Sequence, residues 1–209
     1  MDFNQVINGR RAVNFFDTSR DVPDSLIRQV IEMAAKTPSS FNLQPWSLMA
    51  LKAKEDKLRL QQHALNQTKV SEAPVTFIVL GDRRGWADEN PFVERTFQEM
   101  IKAGATTEEG RDWFSGARKK LYGGNEETQL AFACKNAGFF AMSLMLSAKS
   151  LGLETHPMDG FDQAGVKKEF NIPDHYWVPV LIAMGYFDSS KTLDPPKWRK
   201  SVDDILVSF

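Results

Sequence analysis

Two arginines, Arg10 and Arg11, stand side by side near the start of the chain, and a second basic run, Lys197-Trp198-Arg199-Lys200, lies near its end. A guanidinium fork matches the oxygens of a phosphate in a bidentate way, so these cations suit an anion, although each run taken alone also fits a solvated surface patch. Three further clusters lie between them. Pro38-Ser39-Ser40-Phe41-Asn42-Leu43-Gln44-Pro45-Trp46 is dense in turn formers, hydroxyls and amides and carries no charge. It fits either a capped turn entering a strand or a neutral loop that hydrogen-bonds a polar heterocycle. Asn66-Gln67-Thr68-Lys69 fits an exposed helix end. His156-Pro157-Met158-Asp159-Gly160-Phe161 fits a turn in which Gly160 supplies a positive φ.

Other chemistries lack their residues. The 3 histidines, His63, His156 and His175, share no metal-ligand spacing with one another or with Cys134, so no metal site is expected. Cys134 falls on an apolar helical stripe and reads as a small buried hydrophobe. GxSxG, GxxxxGK[ST] and GxGxxG are all absent from the sequence, which leaves hydrolase, P-loop and Rossmann readings without an anchor. Lys and Arg number 26 against 27 Asp and Glu, a net charge of -1, so no global positive field exists to hold nucleic acid. With 1 Cys no internal disulfide can form, which fits a reducing compartment. No run of about 18 apolar residues stands out as a membrane span, and the N-terminus lacks the order of a signal peptide. The expectation is a cytoplasmic protein with no nucleic-acid or membrane partner.

These clusters must be positioned by the elements around them. Phe3, Val6 and Ile7 share a face over residues 2–9, with Asp2 as a cap. A second helix begins at Pro23, carries Leu26, Ile27, Val30, Ile31, Ala34 and Ala35 as a stripe, and is stopped by Pro38. Residues 46–52 read as a strand and 75–81 as a strand buried on both faces. Residues 82–124 are polar with scattered aromatics and read as an irregular surface excursion or lid. Residues 127–151 give the strongest helical signal, apolar over more than half the circumference, so this helix needs neighbours on several sides. A short helix over 162–170 and a strand over 178–186 follow. The tail carries Trp198, Ile205, Leu206, Val207 and Phe209 with little helical pattern, and such a tail packs against something. Across 209 residues this is one domain, and helices mixed with strands without βα alternation read as α+β.

Taken together and in this order, the clusters resemble those of the nitroreductase family, flavin-dependent enzymes that use FMN. The resemblance runs through GRRAVNFF, VPDSLIRQVIEMAAKTPSSFNLQPW, NQTKVSEAPVTFIVL, GLETHPMDGFD, VPVLIAMGY and PKWRK, and skips 82–124. It implies an α+β fold with a central antiparallel sheet flanked by helices. It also implies an intertwined homodimer whose C-terminal segment, residues 190–209, crosses to the partner. FMN then sits between subunits, with Arg10, Arg11, Lys197 and Arg199 at its phosphate or ribityl end. Pro38, Ser39, Ser40, Asn42 and Gln44 border it from the partner subunit. Asn66 and Lys69 face its pyrimidine edge, where a donor stabilises the reduced flavin. Pro157, Met158, Asp159 and Gly160 cover one face, with the Gly160 N–H at flavin N5. Phe114, with Trp113, corresponds to the aromatic that stacks over the substrate space.

Two positions depart from the family pattern. Ala12 stands where many members have Ser, which removes a hydroxyl contact. Asn14 stands where many have Lys or Arg, which removes a cation that would help hold the reduced flavin. The implied chemistry belongs to the flavin: NAD(P)H gives hydride to N5, leaves, and a nitroaromatic or quinone takes its place in a ping-pong cycle. The same fold also admits a dedicated substrate (enone reduction, reductive dehalogenation or flavin breakdown) or a flavin-binding protein without activity.

Overall fold

A computed structural model describes residues 2–208; Phe209, expected in the packed tail, lies outside the described residues. The chain opens with α1 (Phe3–Gly9), whose first turn is closed by a capping box: the Asp2 carboxylate accepts from the Gln5 N–H at 2.9 Å, and the Gln5 side chain accepts from the Asp2 N–H at 3.1 Å. Then come α2 (Asp24–Ala34), β1 (Trp46–Leu51), α3 (Lys54–His63), α4 (Lys69–Glu72) and β2 (Val75–Asp82). The second half adds α5 (Pro91–Lys102), α6 (Arg111–Tyr122), α7 (Glu126–Ser150), β3 (Glu154–Met158), α8 (Gln163–Glu169), β4 (Tyr176–Gly185) and the single turn α9 (Val202–Ile205).

The four strands form one antiparallel sheet in the order β1-β2-β4-β3. Every residue of β2 is buried, as its unbroken apolar run requires. The pleat sends alternate side chains to opposite faces. Phe77, Val79, Ile182 and Met184 meet α2 and α7, while Ile78, Leu80 and Leu181 meet the α3, α4 and α8 side. Each fully buried side chain of this size contributes roughly 1.5–3 kcal/mol from burial, so two such layers hold the sheet from both sides. Gly81 lets α7 approach closely: a Cβ there would lie 3.1 Å from the Ala133 carbonyl oxygen.

Ten residues of α7 are buried. By length and composition it is also a helix that could cross a membrane, where the sequence showed no such run; packing against α2 and the sheet accounts for its apolarity. Its other side leaves Ala131, Lys135, Gly138, Phe139 and Met142 exposed, a stripe at helical spacing. The helix ends at Gly152, where φ is +81°.

Three expectations change. Residues 82–124 are not irregular: α5 and α6 pack Val93, Phe97 and Phe114 with Leu43 and Phe132 in an apolar cluster of their own. Arg118 is pinned beneath it, 2% exposed, donating to the Phe114 carbonyl at 3.1 Å, to the Trp86 carbonyl and to Asp88 at 2.7 Å. Pro157 and Met158 lie in β3 rather than in a turn. Gly160 is not among the residues with positive φ.

Candidate functional site

The end of α1 delivers the first cations. Arg10 leaves the helix in extended backbone, and Ala12 and Val13 then run beside β3, where the Val13 N–H donates to the Thr155 carbonyl at 3.2 Å. From the other end of the chain, the segment around Asp194 to Arg199 comes alongside. Arg10, Arg11, Lys197 and Arg199 line one cavity of about 590 Å³. Arg11 donates to the Asn8 carbonyl at 2.7 Å, and Arg199 to the Trp198 carbonyl at 2.8 Å. Burial lowers the pKa of the Arg10 guanidinium, and the nearby Arg199 and Arg11 lower it further, against an opposing pull from Glu154. Glu154 itself is paired with Lys149, and Asp194 sits 3.9 Å from Lys197. Cations outnumber carboxylates here, and Arg10 is destabilised by its like-charged neighbours. That donor set fits a phosphate dianion, which would relieve the repulsion through charge-assisted hydrogen bonds.

A second group adjoins it. Leu65 and Asn66, between α3 and α4, take left-handed backbone with φ of 53° each. Lys69, whose ammonium pKa burial lowers, donates to Gln67 at 3.4 Å, and Gln67 donates to the Gly160 carbonyl at 3.1 Å. Gln67 therefore links Lys69 to the turn after β3. His156 holds the same region from below: its Nδ1 lies 2.8 Å from the Val13 carbonyl oxygen, and burial, then Lys69, lower its pKa. Neither Gln67 nor His156 was among the expected site residues. Asp159 is exposed, but Met158 is buried with its side chain in the core, so only its backbone can face a ligand. Gly160 serves space rather than conformation: a Cβ would come within 3.0 Å of the Leu65 side chain.

The third group does not join these within one chain. The Ser39–Gln44 loop is held on the middle of α7, where Ser40 bonds Asn136. Gly9, next to Arg10, packs on Lys149 near the helix end. From residue 136 to residue 149 the axis runs about 20 Å at a helix rise of 1.5 Å per residue. Pro38 and Asn42 are exposed, and Ser39 and Ser40 half-buried. Phe114, expected to stack over a substrate, is 2% exposed and faces inward, whereas Trp113 is 67% exposed; α6 turns one ring into its own cluster and the other outward. A larger cavity, about 840 Å³, lies beside the loop and is walled by Trp46, Trp86, Phe92 and His175. Asp82 borders it, its carboxyl pKa raised by burial and restrained by the Arg84 N–H at 2.8 Å. The cavity lining sets Arg84 against Asp82 and Glu89 and holds none of Arg10, Arg11, Lys197 and Arg199, so it suits a phosphate less well than the cation cleft does.

The nitroreductase family model matches residues 7–186. YodC of Bacillus subtilis, named as a candidate NAD(P)H nitroreductase, is 30% identical over 182 residues, which cover 86% of this chain and 87% of its own. The crystal structure of YdfN from the same organism, also named as a candidate nitroreductase, superposes with a TM-score of 0.90 at 27% identity, covering 99% of this chain and 98% of its own. A third protein of that description, from Exiguobacterium sibiricum, was solved in complex with FMN; its TM-score is 0.84 at 26% identity, covering 99% of this chain and 96% of its own.

Proposed function

The chain belongs to the nitroreductase family of oxidoreductases, and from that membership we propose that it binds FMN between two copies of itself and passes electrons from NAD(P)H to nitroaromatic compounds or quinones in the cytoplasm. One observation carries this reading: Arg10, Arg11, Lys197 and Arg199 come from opposite ends of the sequence to a single cleft. When bound, FMN would supply the redox chemistry between nicotinamide and oxidant. The protein binds and orients. The four cations hold the phosphate. Asn66 and Lys69 would meet the pyrimidine edge, where an anion would offset the cost that burial imposes on the Lys69 charge. Pro157, Asp159, Gly160 and the Met158 backbone cover one side. Ala12 and Asn14 lie on the extended segment after Arg10 and leave Lys69 as the principal cation at that edge.

Pro38, Ser39, Ser40, Asn42 and Gln44 then belong to the site of the partner subunit. An isologous pairing of α7 with its copy would bring the helix end of one chain beside the mid-helix loop of the other. The exposed Ala131, Lys135, Gly138, Phe139 and Met142 supply the face for that pairing. The tail supports it as well: residues 189–208 are exposed along their length, Trp198, Ile205, Leu206 and Val207 included. Crossing to the partner would cover them. Of the expected aromatic pair, only Trp113 is free to stack on a bound substrate.

The test is steady-state turnover with NADH and with NADPH, each paired with menadione and with a nitrofuran. The reading predicts consumption of the nicotinamide that depends on both FMN and the oxidant. Flavin-loaded protein that turns over none of these pairs would overturn it.

A further inference from the structure

We propose that Asn136 is the positioning residue of the Ser39–Gln44 loop, the part of the site one subunit lends its partner; the functional consequence rests on the FMN reading above. Asn136 is 0% exposed and lies among Phe132, Ala133, Ala137 and Phe140 on α7. An amide at that depth is destabilising unless its polar atoms are bonded. Its Nδ2 donates to the Phe132 carbonyl at 2.7 Å, which turns Oδ1 towards the loop. Oδ1 accepts from the Ser40 backbone N–H at 3.0 Å and from the Ser40 hydroxyl at 3.4 Å. Lys135 completes the clamp by donating to the same hydroxyl at 3.0 Å. Apart from one bond from Nδ2 to its own helix, the hydrogen bonds of this buried amide go to a single loop residue.

The loop needs such a clamp. Phe41, Asn42 and Gln44 have φ of 52°, 54° and 48°, in the left-handed region that residues other than glycine avoid. Backbone of this kind persists only where its surroundings over-determine it. The Ser39 hydroxyl accepts from the Gln44 N–H at 2.9 Å across the loop, and the Phe41 ring sits among Trp113, Phe114 and Tyr122. Asn136 fixes the point where the chain enters the strained stretch. It holds Ser39, Ser40 and Asn42 in one presentation before any ligand arrives, so the binding partner does not have to order them.

Two variants test this. Asn136→Leu keeps the volume and removes the acceptor. Asn136→Asp, when its carboxyl is protonated, keeps both the acceptor towards Ser40 and the donor towards Phe132. Hydrogen exchange of Ser40 to Leu43 is followed in flavin-free protein, FMN affinity by fluorescence titration, and dimer content by sedimentation. In Asn136→Leu, loop exchange should quicken while β2 stays protected, and the Kd for FMN should rise by about tenfold or more, the scale of a lost buried hydrogen bond, in a protein that remains dimeric. In Asn136→Asp the acceptor towards Ser40 is kept whether or not the carboxyl is ionised, so exchange of Ser40 to Leu43 should stay nearer to wild type than in the Leu variant. Unchanged loop exchange with unchanged Kd in the Leu variant overturns the proposal, as does a general loss of protection with Kd unaltered. If the Leu variant does not fold, Asn136→Ala, which also removes the acceptor, takes its place, and unchanged loop exchange with unchanged Kd overturns the proposal. If wild-type protein takes up no FMN, the FMN reading fails, and loop exchange still decides whether Asn136 is the clamp.

Discussion

At the scale of single residues, Arg10 holds the central place in the proposed site. It is partly buried, it faces Arg199 and Arg11, and Glu154 offsets only part of that repulsion. A phosphate between them would turn an unfavourable cluster into paired charge. Replacing both Arg10 and Arg199 with Ala should therefore weaken FMN binding by about 3 kcal/mol or more, taking about 1.5–3 kcal/mol for each hydrogen bond to a charged group. Titration of flavin-stripped protein checks this, with riboflavin as the control: lacking a phosphate, it should lose far less. Equal losses for both flavins would place the arginines elsewhere. Arg10, Arg11, Lys197 and Arg199 were legible because clustered charge and the wording around it stand out in a sequence. Asn136, Gln67 and Glu154 were not. Their meaning depends on where a helix or turn buries them, and a lone Asn inside an apolar stripe signals only that a buried amide needs partners.

At the scale of elements, the long periodic segments were readable and the irregular ones were not. The α7 stripe and the unbroken β2 run follow directly from what each must bury. β3 was missed because it is five residues long and contains Pro157; a proline is tolerated there because β3 lies at the edge of the sheet. The α5–α6 excursion was missed because its aromatics pack on one another rather than on the sheet, so no stripe points at the main core. Arg118 and Asp88 fasten it. Exchanging Arg118 for Met takes the side-chain donor from the Trp86 carbonyl and from Asp88 and should destabilise the protein by about 2–4 kcal/mol, read from denaturant unfolding. Asp88 is held by Lys119, Arg118 and Ser115 at a pKa of about 2, below its ordinary 3.8. A depressed carboxylate pKa stabilises the fold above the unfolded value and loses that effect as pH falls towards the folded one. Asp88→Asn should therefore lower Tm at pH 7, and the two proteins should converge as pH drops from about 4 towards about 2. A Tm difference that stays constant over that window would mean Asp88 acts through something other than its charge. The effect is modest, because the carboxylate is partly exposed and screened.

At the scale of the whole molecule, the folded chain leaves two surfaces that a second copy would cover: the outer stripe of α7 and the exposed tail. The cation cleft and the Ser39–Gln44 loop stand about 20 Å apart along α7, a separation that dimerisation would close. Deleting residues 197–209 should therefore lower both dimer content in sedimentation and FMN retention after dialysis. A truncated chain that stays dimeric and fully loaded would show that the tail contributes to neither. Periodicity and composition pointed to the need, a helix apolar over more than half its circumference and an apolar tail that each want a neighbour, in a core or in another subunit; the intertwined arrangement, with its lent loop and crossing tail, entered only through family resemblance.

The most direct measurement is a titration of flavin-stripped protein with FMN, following flavin fluorescence and absorbance alongside sedimentation. The account predicts saturation at one FMN per chain in a dimeric, yellow protein, with riboflavin bound more weakly. A protein that stays colourless and takes up no FMN at saturating concentration would contradict it.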